Sequence, residues 1–435
     1  MLAAVSKPLV RLVDRYLPDP YIFVLILTLV VFLAAVLIER QNPLAVVTMW
    51  GDGFWKLLEF SMQMLLVLVA GFMLANTPFV KRILTRIAAL ATTPGGAILL
   101  VTLVSLTASW INWGFGLVVG ALFAKELARQ IRVDYRLLIA SAYSGFLVWH
   151  GGLAGSIPLS VATPGHPFEE ITGIIPSGQT IFSGFNLAIV VALFVAVPLV
   201  NRMMLPSEAD SVYVDPARLA DPEPDDGSLH RPSDRLETSR SLSWLIGAAG
   251  LAWLLVYFSG GGGLTLNVVN FLFLTLAIIL HGTPRRLLAS LNEGIRGGAG
   301  IVIQFPFYAG IMAVMVGSGL ATTISDWLIS FASAETLPFW TFLSAGIVNF
   351  FVPSGGGQWA VQGPVILPAA QALGTDMARA AMAVAWGDAW TNMVQPFWAL
   401  PVLAIAGLNA KDIMGFCLIQ LVLSGIIIAI GLTYL

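Results

Sequence analysis

Long apolar runs restrict this chain to very few folds. The segments from Tyr21 to Ile38 and from Phe416 to Leu435 are two of many such runs, and 57% of the 435 residues are hydrophobic while only 11% are charged. Lipid offers no hydrogen-bond partner to the backbone, so an apolar segment of about 20 residues crosses a membrane as a helix. The sequence therefore predicts an all-α polytopic membrane protein that is embedded in a lipid bilayer.

Composition also excludes several classes of function. The net charge of −2 gives no reason to expect a nucleic-acid partner, and the single cysteine, Cys417, lies in an apolar run where it forms neither a disulfide nor a thiolate metal site alone. The sequence contains no His-Glu-x-x-His zinc motif, no aspartate-rich metal motif and no P-loop. We therefore expect neither an enzyme nor a self-contained ATP-driven pump, and no cofactor other than a coupling ion.

Two polar, glycine-rich breaks interrupt the apolar pattern. One lies between Asn349 and Trp359, and a weaker copy runs from Asn112 to Gly116, at an offset of 237 residues (349 − 112). Irregular backbone at membrane depth persists only where protein or a watery cavity satisfies it, so paired breaks indicate the binding site of a transporter. Two more pairs keep a similar register: Asn42-Pro43 with Thr283-Pro284, and Trp149 with Trp386.

These pairs predict a duplicated membrane domain. Each repeat is expected to contain two spanning helices, a re-entrant helical hairpin, an interrupted transmembrane helix and a last spanning helix. The hairpins are predicted at Pro94 to Gln130 and Leu337 to Ala372, and the interrupted helices at Tyr135 to about Val161 and Ala378 to Ala406. The predicted domains are a first repeat at 1–203, a cytoplasmic linker at 204–240, an extra transmembrane helix at 241–263 and a second repeat at 264–435.

The linker differs from the rest of the chain in its charge. Between Asn201 and Ser241 the acidic residues are Glu208, Asp210, Asp215, Asp221, Glu223, Asp225, Asp226 and Asp234. Such a run is typical of a flexible, solvated connection, and binding of a partner is the alternative.

The distribution of basic residues predicts the orientation. Four crossings and the extra helix make an odd number, so the second repeat enters the membrane from the opposite side and the repeats are inverted. With a cytoplasmic N-terminus, 19 of the 22 Lys and Arg residues lie on the cytoplasmic side, as expected for short cytoplasmic loops. They are Lys7, Arg11, Arg15, Lys81, Arg82, Arg86, Lys125, Arg129, Arg132, Arg136, Arg202, Arg218, Arg231, Arg235, Arg240, Arg285, Arg286, Arg296 and Lys411. We expect an N-terminus that is anchored in the membrane rather than cleaved, and a C-terminus outside.

Candidate ligand-binding residues cluster at the breaks. Backbone N–H groups of a glycine turn before a helix that starts near Gln358 favour an anion, while the carbonyls that end the preceding half-helix favour a cation such as Na⁺; close helix packing is the alternative. The predicted substrate-binding residues are Asn112, Trp113, Gly114, His150, Ser156, Asn349, Ser354, Gly355, Gly356, Gly357, Gln358, Thr391 and Asn392.

Ion coupling is assigned to Asp388 with Asn112, Asn349 and Asn392. Asp388 is the only carboxylate predicted within the membrane interior, and an ionisable residue there indicates function. A structural pair with His150 is the alternative, and a lone histidine can also cap the break. No Lys or Arg lies in the breaks, so amide donors and tryptophan walls suit a small monocarboxylate better than a substrate with several charges.

The motifs resemble those of a known family. The run from Asn349 to Gln362 with Gly363-Pro364, together with Ser109 to Gly114 and Trp386 to Asn392, resembles the bacterial short-chain fatty acid transporter family over nearly the whole chain. The resemblance implies uptake of monocarboxylates such as butyrate or acetoacetate. It also implies the ion transporter superfamily, whose inverted repeats hold substrate and Na⁺ at the hairpin tips, often in homodimers with an elevator movement.

The tips depart from one branch of that superfamily. Its sodium–dicarboxylate members carry Ser-Asn-Thr at both tips, whereas this chain has Asn112-Trp113-Gly114 and Pro353-Ser354-Gly355. The function expected is therefore a symporter of short-chain monocarboxylates coupled to H⁺ or Na⁺. The alternative among secondary carriers is a Na⁺-coupled di- or tricarboxylate carrier. The alternatives of other classes are a membrane-embedded enzyme and a passive channel.

Overall fold

The computed structural model describes residues 20–219, 231–350, 352–395 and 397–435. Its fold is all-helical, with no strand in those residues, and seven helices are long and apolar enough to cross a membrane. The prediction of an all-α polytopic membrane protein is confirmed. The predicted N-terminal basic residues Lys7, Arg11 and Arg15, the linker acids at 221–226 and Pro396 lie outside the described residues.

The first part of the chain contains ten α-helices and a 3₁₀ segment among its described residues. They are α1 (Pro20–Leu37), α2 (Pro43–Gly53), α3 (Leu58–Ala75), α4 (Pro78–Ala88), α5 (Pro94–Ile111), α6 (Trp113–Gln130), α7 (Tyr135–Ser144), the 3₁₀ segment Gly145–Gly151, α8 (Ser156–Val161), α9 (Glu169–Thr172) and α10 (Gly184–Met203).

The remainder contains a short 3₁₀ turn in the linker, Pro216–Leu219, and eleven further α-helices in the described residues. They are α11 (Asp234–Glu237), α12 (Arg240–Ser259), α13 (Leu266–His281), α14 (Pro284–Gly297), α15 (Ala299–Ser318), α16 (Leu320–Ile329), α17 (Leu337–Asn349), α18 (Gly355–Leu373), α19 (Met377–Thr391), α20 (Ala399–Ala406) and α21 (Ala410–Tyr434).

The order of helices recurs along the chain. Each helix from α2 to α8 has a counterpart from α14 to α20 that begins between 241 (284 − 43) and 243 (337 − 94) residues later. Contacts recur as well: α3 packs against α6 as α15 packs against α18, and α5 contacts the 3₁₀ segment as α17 contacts α19. The inversion of these repeats in a membrane stays a prediction.

Proline and a polar cap fix where several helices begin. Asn42, Thr77, Thr93 and Thr283 each precede a proline and accept a hydrogen bond from a backbone N–H of the first turn. Proline is favoured at the first helical position because its missing N–H would have no partner there, and the cap satisfies one of the remaining donors. The repeated helix starts are therefore encoded locally.

The sequence reading did not identify four short helices, α2, α4, α14 and α16, which lie in what it treated as connections. In α4 the charged side chains of Lys81, Arg82 and Arg86 are exposed, while Leu84 and Ala88 are buried. Helices of 10 to 14 residues such as these are too short to cross a membrane, so a search for spanning runs overlooks them.

The described ends of the linker are bound to the helices, and the flexible, solvated connection expected between them stays a prediction. At one end the backbone N–H of Val212 donates to buried Asp134 at 2.8 Å, and the N–H of Tyr135 donates to the carbonyl of Val212 at 2.8 Å. At the other end Arg285 of α14 donates to Asp234 at 2.6 Å and to Glu237 at 3.2 Å. Asp234 is only 2% exposed, so part of the acidic charge of the linker serves structure.

Arg285→Gln should loosen the second attachment without unfolding the membrane domain. The pairs with Asp234 and Glu237 are partly exposed, so we expect about a two- to fivefold faster proteolysis of the segment 231–240. Limited proteolysis in detergent measures this rate. Arg286 is exposed and forms no ion pair within the described residues, so Arg286→Gln is the matched control. Equal acceleration in both variants would contradict the attachment.

Candidate functional site

The second break is shorter than the sequence predicted. Helix α18 begins at Gly355, three residues before the expected start at Gln358, and Ser354 in extended conformation caps it. The Ser354 hydroxyl accepts a hydrogen bond from the N–H of Gly357 at 3.4 Å. The cap draws the glycines into the first helical turn, where N–H groups have no intrahelical partner. The expected anion-binding donors are therefore those of a helix start rather than of a loop.

Glycine at 355 is required by close approach to the first half of the chain. A Cβ atom there would lie 2.5 Å from Cε1 and 2.6 Å from Nε2 of His150, and 2.8 Å from the ring of Trp149. At Gly356 it would lie 2.9 Å from Phe60 and 3.2 Å from Phe305, both of the flanking helices α3 and α15. Gly357 contacts Tyr308 in the same way, so the first turn of α18 fits a space that excludes side chains.

Asn349, at the end of α17, joins both sides of the second break. It is fully buried, and its amide nitrogen lies 3.0 Å from the carbonyl oxygen of Asp388, 3.0 Å from the Thr391 hydroxyl and 2.9 Å from the side-chain oxygen of Asn392. Thr391 in turn donates to the carbonyl of Gly346 at 2.9 Å. Four residues proposed from the sequence, Asn349, Asp388, Thr391 and Asn392, are therefore brought together.

Asn349→Ala should weaken substrate binding by about tenfold. The change leaves buried acceptors of Asp388, Thr391 and Asn392 without their shared donor, at about 1–3 kcal/mol for each unsatisfied group. Equilibrium binding of labelled butyrate to purified protein measures the effect. Asn76→Ala removes only a hydrogen bond to Phe72 within one helix and is the control; wild-type affinity in Asn349→Ala would remove this residue from the site.

Asp388 and His150 lie next to each other in the interior. Both are fully buried, and Nδ1 of His150 is 3.6 Å from Oδ1 of Asp388. That distance exceeds a hydrogen bond, and Nδ1 donates instead to the carbonyl of Ala385 at 2.8 Å. The structural ion pair considered from the sequence is thus not closed by a direct hydrogen bond.

Several buried polar atoms of the site have no hydrogen-bond partner among the described residues. They are Oδ1 of Asn349, Oε1 of Gln358 and Nε2 of His150, whereas the Asp388 carboxylate is hydrogen-bonded to the Asn392 side chain. Buried polar atoms are normally satisfied, so a group of unsatisfied ones indicates a ligand, ion or proton. Asn349, Gln358 and Asp388 present side-chain oxygens, which are the ligands that a hard cation selects, and the carboxylate can also take up a proton.

The first break has a different role from the second. Asn112 caps α6 by accepting from the N–H of Phe115 at 2.9 Å, and its amide reaches the carbonyl of Val67. A Cβ atom at Gly114 would lie 2.8 Å from the carbonyl of Leu68, so this glycine permits close packing. Within the described residues, no hydrogen bond joins Asn112 or Gly114 to the residues of the second break, and the ligand roles predicted for them stay predictions.

Aromatic rings enclose the other side of His150. The Trp149 ring stacks on His150 with centroids 3.6 Å apart, and Trp113 lies 5.7 Å from Trp149 and 5.2 Å from Trp398. Phe146 stacks on Trp149 at 5.3 Å. Trp398 and Phe146 were missed by the sequence reading, which looked for polar residues at the breaks; the only signal for Trp398 was its position just after the polar segment.

Asn186, which belongs to no sequence motif, connects the two interrupted segments by hydrogen bonds. Asn186 of α10 accepts from the indole N–H of Trp386 at 3.0 Å and donates to the carbonyl of Gly151 at 3.0 Å. Ser156 is buried at the start of α8, beyond the break that follows Gly151. Asn186 lies in an apolar helix outside both breaks, so no motif in the sequence points to it.

The long loop 163–183 covers helix α18. Phe168 packs edge-on against Trp359 with centroids 5.2 Å apart, and its ring lies where a Cβ atom at Gly363 would be. His166 holds this turn because its Nδ1 accepts from the N–H of Phe168 at 3.3 Å while Nε2 donates to the carbonyl of Gly173 at 3.1 Å. Burial lowers the pKa of His166 below its ordinary value, which favours the neutral ring that this arrangement needs.

The site carries no fixed positive charge from Lys or Arg. In the described part of the chain, no Lys or Arg side chain forms a hydrogen bond or ion pair with the site residues Asn349, Asp388, Thr391 and Asn392. The described residues also contain no group of three His, Cys, Asp or Glu residues placed to hold a metal ion. The arrangement can bind a small ligand through amides, indoles, backbone N–H groups and one ionisable carboxyl.

Comparison with known proteins identifies relatives over the full length. The family model described as "Short chain fatty acid transporter" matches residues 1–435. Two relatives, each named "Putative short-chain fatty acid transporter", come from Escherichia coli K12, at 50% identity, and Haemophilus influenzae Rd, at 45% identity. Each alignment covers 100% of this chain and 100% of the relative.

Two solved transporters share the fold at low sequence identity. The YdaH transporter of Alcanivorax borkumensis matches with a TM-score of 0.58 at 16% identity, over 95% of this chain and 98% of that chain. MtrF of Neisseria gonorrhoeae, from a class of antimetabolite efflux pumps, matches with a TM-score of 0.56 at 14% identity, over 99% of this chain and 96% of that chain. These likenesses extend to the fold alone.

Proposed function

Because the chain belongs to the short-chain fatty acid transporter family, we propose that it is a secondary carrier of small monocarboxylates, of the butyrate or acetoacetate type, coupled to H⁺ or Na⁺. Membership of this family makes the chain a multi-pass membrane transporter and not an enzyme. The observation that carries the finer proposal is the enclosed group of buried, unpaired polar atoms around Asp388, bordered by aromatic rings.

The charge of the site favours one carboxylate rather than several. A di- or tricarboxylate taken from water into a buried site needs compensating cations, because desolvation of each charge is costly. The site residues make no hydrogen bond or ion pair with Lys or Arg in the described residues, whereas amide, indole and helix-start N–H groups are present. One carboxylate with a short acyl chain matches these donors and the aromatic walls.

Coupling is assigned to Asp388. A fully buried ionised carboxylate is unfavourable at membrane depth even with its hydrogen bond to Asn392, so the site closes when Asp388 carries a proton or contacts a cation. Oδ1 of Asn349 and Oε1 of Gln358 supply further unpaired oxygens for a cation. Binding of the ion and of the substrate anion in one occluded site would keep the net buried charge low, which is the physical basis of symport.

We further propose that the two halves form inverted repeats around this site, with α5–α6 and α17–α18 as re-entrant hairpins. The recurring helix starts and recurring contacts support a duplication. The excess of basic residues on one set of loops supports a cytoplasmic N-terminus in the inner membrane and a C-terminus outside.

Uptake of labelled butyrate into proteoliposomes tests the function. Na⁺ and pH gradients are imposed separately, with succinate as competitor and protein-free liposomes as the control, because the neutral acid crosses lipid unaided. Protein-dependent accumulation that follows one gradient and resists succinate supports the proposal and identifies the coupling ion. Transport of succinate without transport of butyrate would instead favour the di- or tricarboxylate carrier.

A further inference from the structure

Three tryptophans near His150 have buried indole N–H groups without an acceptor. Trp113, Trp149 and Trp398 are 3%, 2% and 7% exposed, and Nε1 of each has no hydrogen-bond partner among the described residues. We call these three residues the indole cage. Trp110 and Trp386 are satisfied, because Trp110 donates to Gly151 and Trp386 donates to Asn186. Trp50 and Trp359 also have buried N–H groups without a partner among the described residues, but their rings pack against Phe32 and Phe168 rather than against the indole cage.

The members of the indole cage belong to one contiguous aromatic cluster. Trp113 lies against both of the others, with centroids 5.7 Å from Trp149 and 5.2 Å from Trp398, and Phe146 contacts Trp149 and Trp398 on a further side. The three residues come from three segments: the start of α6, the 3₁₀ segment and the turn before α20. A cluster assembled from distant parts of the chain is positioned by the whole fold.

We propose that the indole cage is the carboxylate-binding subsite of the carrier, with the acyl chain against its rings. This inference rests on the proposed function and assigns the recognition of the anion within it. An indole N–H only donates, so its complement is an oxygen with free lone pairs, and a carboxylate offers about four such positions. Donation to an ionised acceptor is stronger than to a neutral one, which suits a site without Lys or Arg.

The Asp388 carboxylate is hydrogen-bonded to the Asn392 side chain, whereas none of the three indole nitrogens has a partner among the described residues. Nε2 of His150, an acceptor because Nδ1 donates to the carbonyl of Ala385, is also unpaired. His150 contacts both groups, since it stacks on Trp149 at 3.6 Å and lies 3.6 Å from Oδ1 of Asp388. The proposed anion subsite therefore adjoins the proposed coupling residue through His150.

Ring packing is the alternative role for these tryptophans, and substitution by Phe separates the two. Trp113→Phe, Trp149→Phe and Trp398→Phe keep an aromatic ring but remove the N–H. Each should weaken binding of labelled butyrate by about tenfold to a hundredfold, as expected for loss of a hydrogen bond to a charged group. Trp110→Phe is the control, because it makes the same ring change but removes an N–H that already donates to Gly151 at 3.1 Å. Its affinity for butyrate should stay within about twofold of the wild type, whereas loss of one hydrogen bond to an anion lowers the affinity by about tenfold or more.

A direct measurement on unmodified protein covers the case in which a variant fails to fold. With ¹⁵N-indole-labelled tryptophan, the protein has 13 indole N–H signals, and butyrate should shift three of them downfield. The three signals should be the ones missing from the Phe variants that fold. Saturable butyrate binding that leaves every indole signal unchanged, or equal losses in Trp110→Phe, would overturn the indole cage while leaving the proposed function intact. Absence of butyrate binding to wild-type protein would overturn both.

Discussion

Asp388→Asn should abolish concentrative uptake while leaving exchange across the membrane. Asn has nearly the shape of a protonated Asp but neither releases a proton nor supplies a charge to a cation, so the site can still close around substrate. A tenfold gradient of one coupled cation supplies about 1.4 kcal/mol, enough for about tenfold accumulation of a monocarboxylate. Protein-dependent accumulation should fall from about tenfold to none, whereas exchange of labelled for unlabelled butyrate should persist.

The comparison variant for Asp388 is Asp326→Asn. Asp326 is also a helical carboxylate, but its side chain is exposed and makes no hydrogen bond within the described part of the chain. It should retain full accumulation. The two assays together separate coupling from binding: loss of both exchange and accumulation in Asp388→Asn would assign this residue to substrate binding, and unchanged accumulation would remove Asp388 from the coupling mechanism.

Much of the membrane domain could be predicted because its signals are local. Apolar length gave the spanning helices, and the pairs Thr93-Pro94 and Asn42-Pro43 mark helix starts through capping chemistry that acts within one turn. The polar interruption around Asp388 was also visible, since a carboxylate within an apolar run has few explanations. These are properties of a segment and its own neighbours.

The features that were missed depend on contacts between distant segments. Asn186 looks like an isolated amide in an apolar helix until folding places it between Gly151 and Trp386. Trp398 becomes part of a site only when the turn before α20 reaches Trp113. Helix α18 starts at Gly355 rather than near Gln358 because the Ser354 cap outweighs the low helix propensity of three glycines.

Gly355→Ala should reduce butyrate transport by at least about tenfold. The added Cβ would lie 2.5 Å from the His150 ring, and neither that ring, stacked on Trp149 and bonded to Ala385, nor the capped start of α18 has free space to move. Overpacking of a tight interior typically costs about 1–3 kcal/mol, and here the displaced atoms are those of the site. Initial rates of butyrate exchange in proteoliposomes, normalised to inserted protein, measure the loss.

Gly184 provides a matched control because it is also the first residue of a helix, α10. A Cβ atom there meets nothing within 4 Å, so Gly184→Ala makes the same chemical change at the same helical position without a clash. It should transport at the wild-type rate. A normal transport rate in Gly355→Ala would show that α18 and His150 can move apart without loss of activity. Transport would then not depend on the close contact between the second break and the 3₁₀ segment. A loss restricted to Gly355→Ala, in protein that inserts and stays monodisperse, ties transport to that contact.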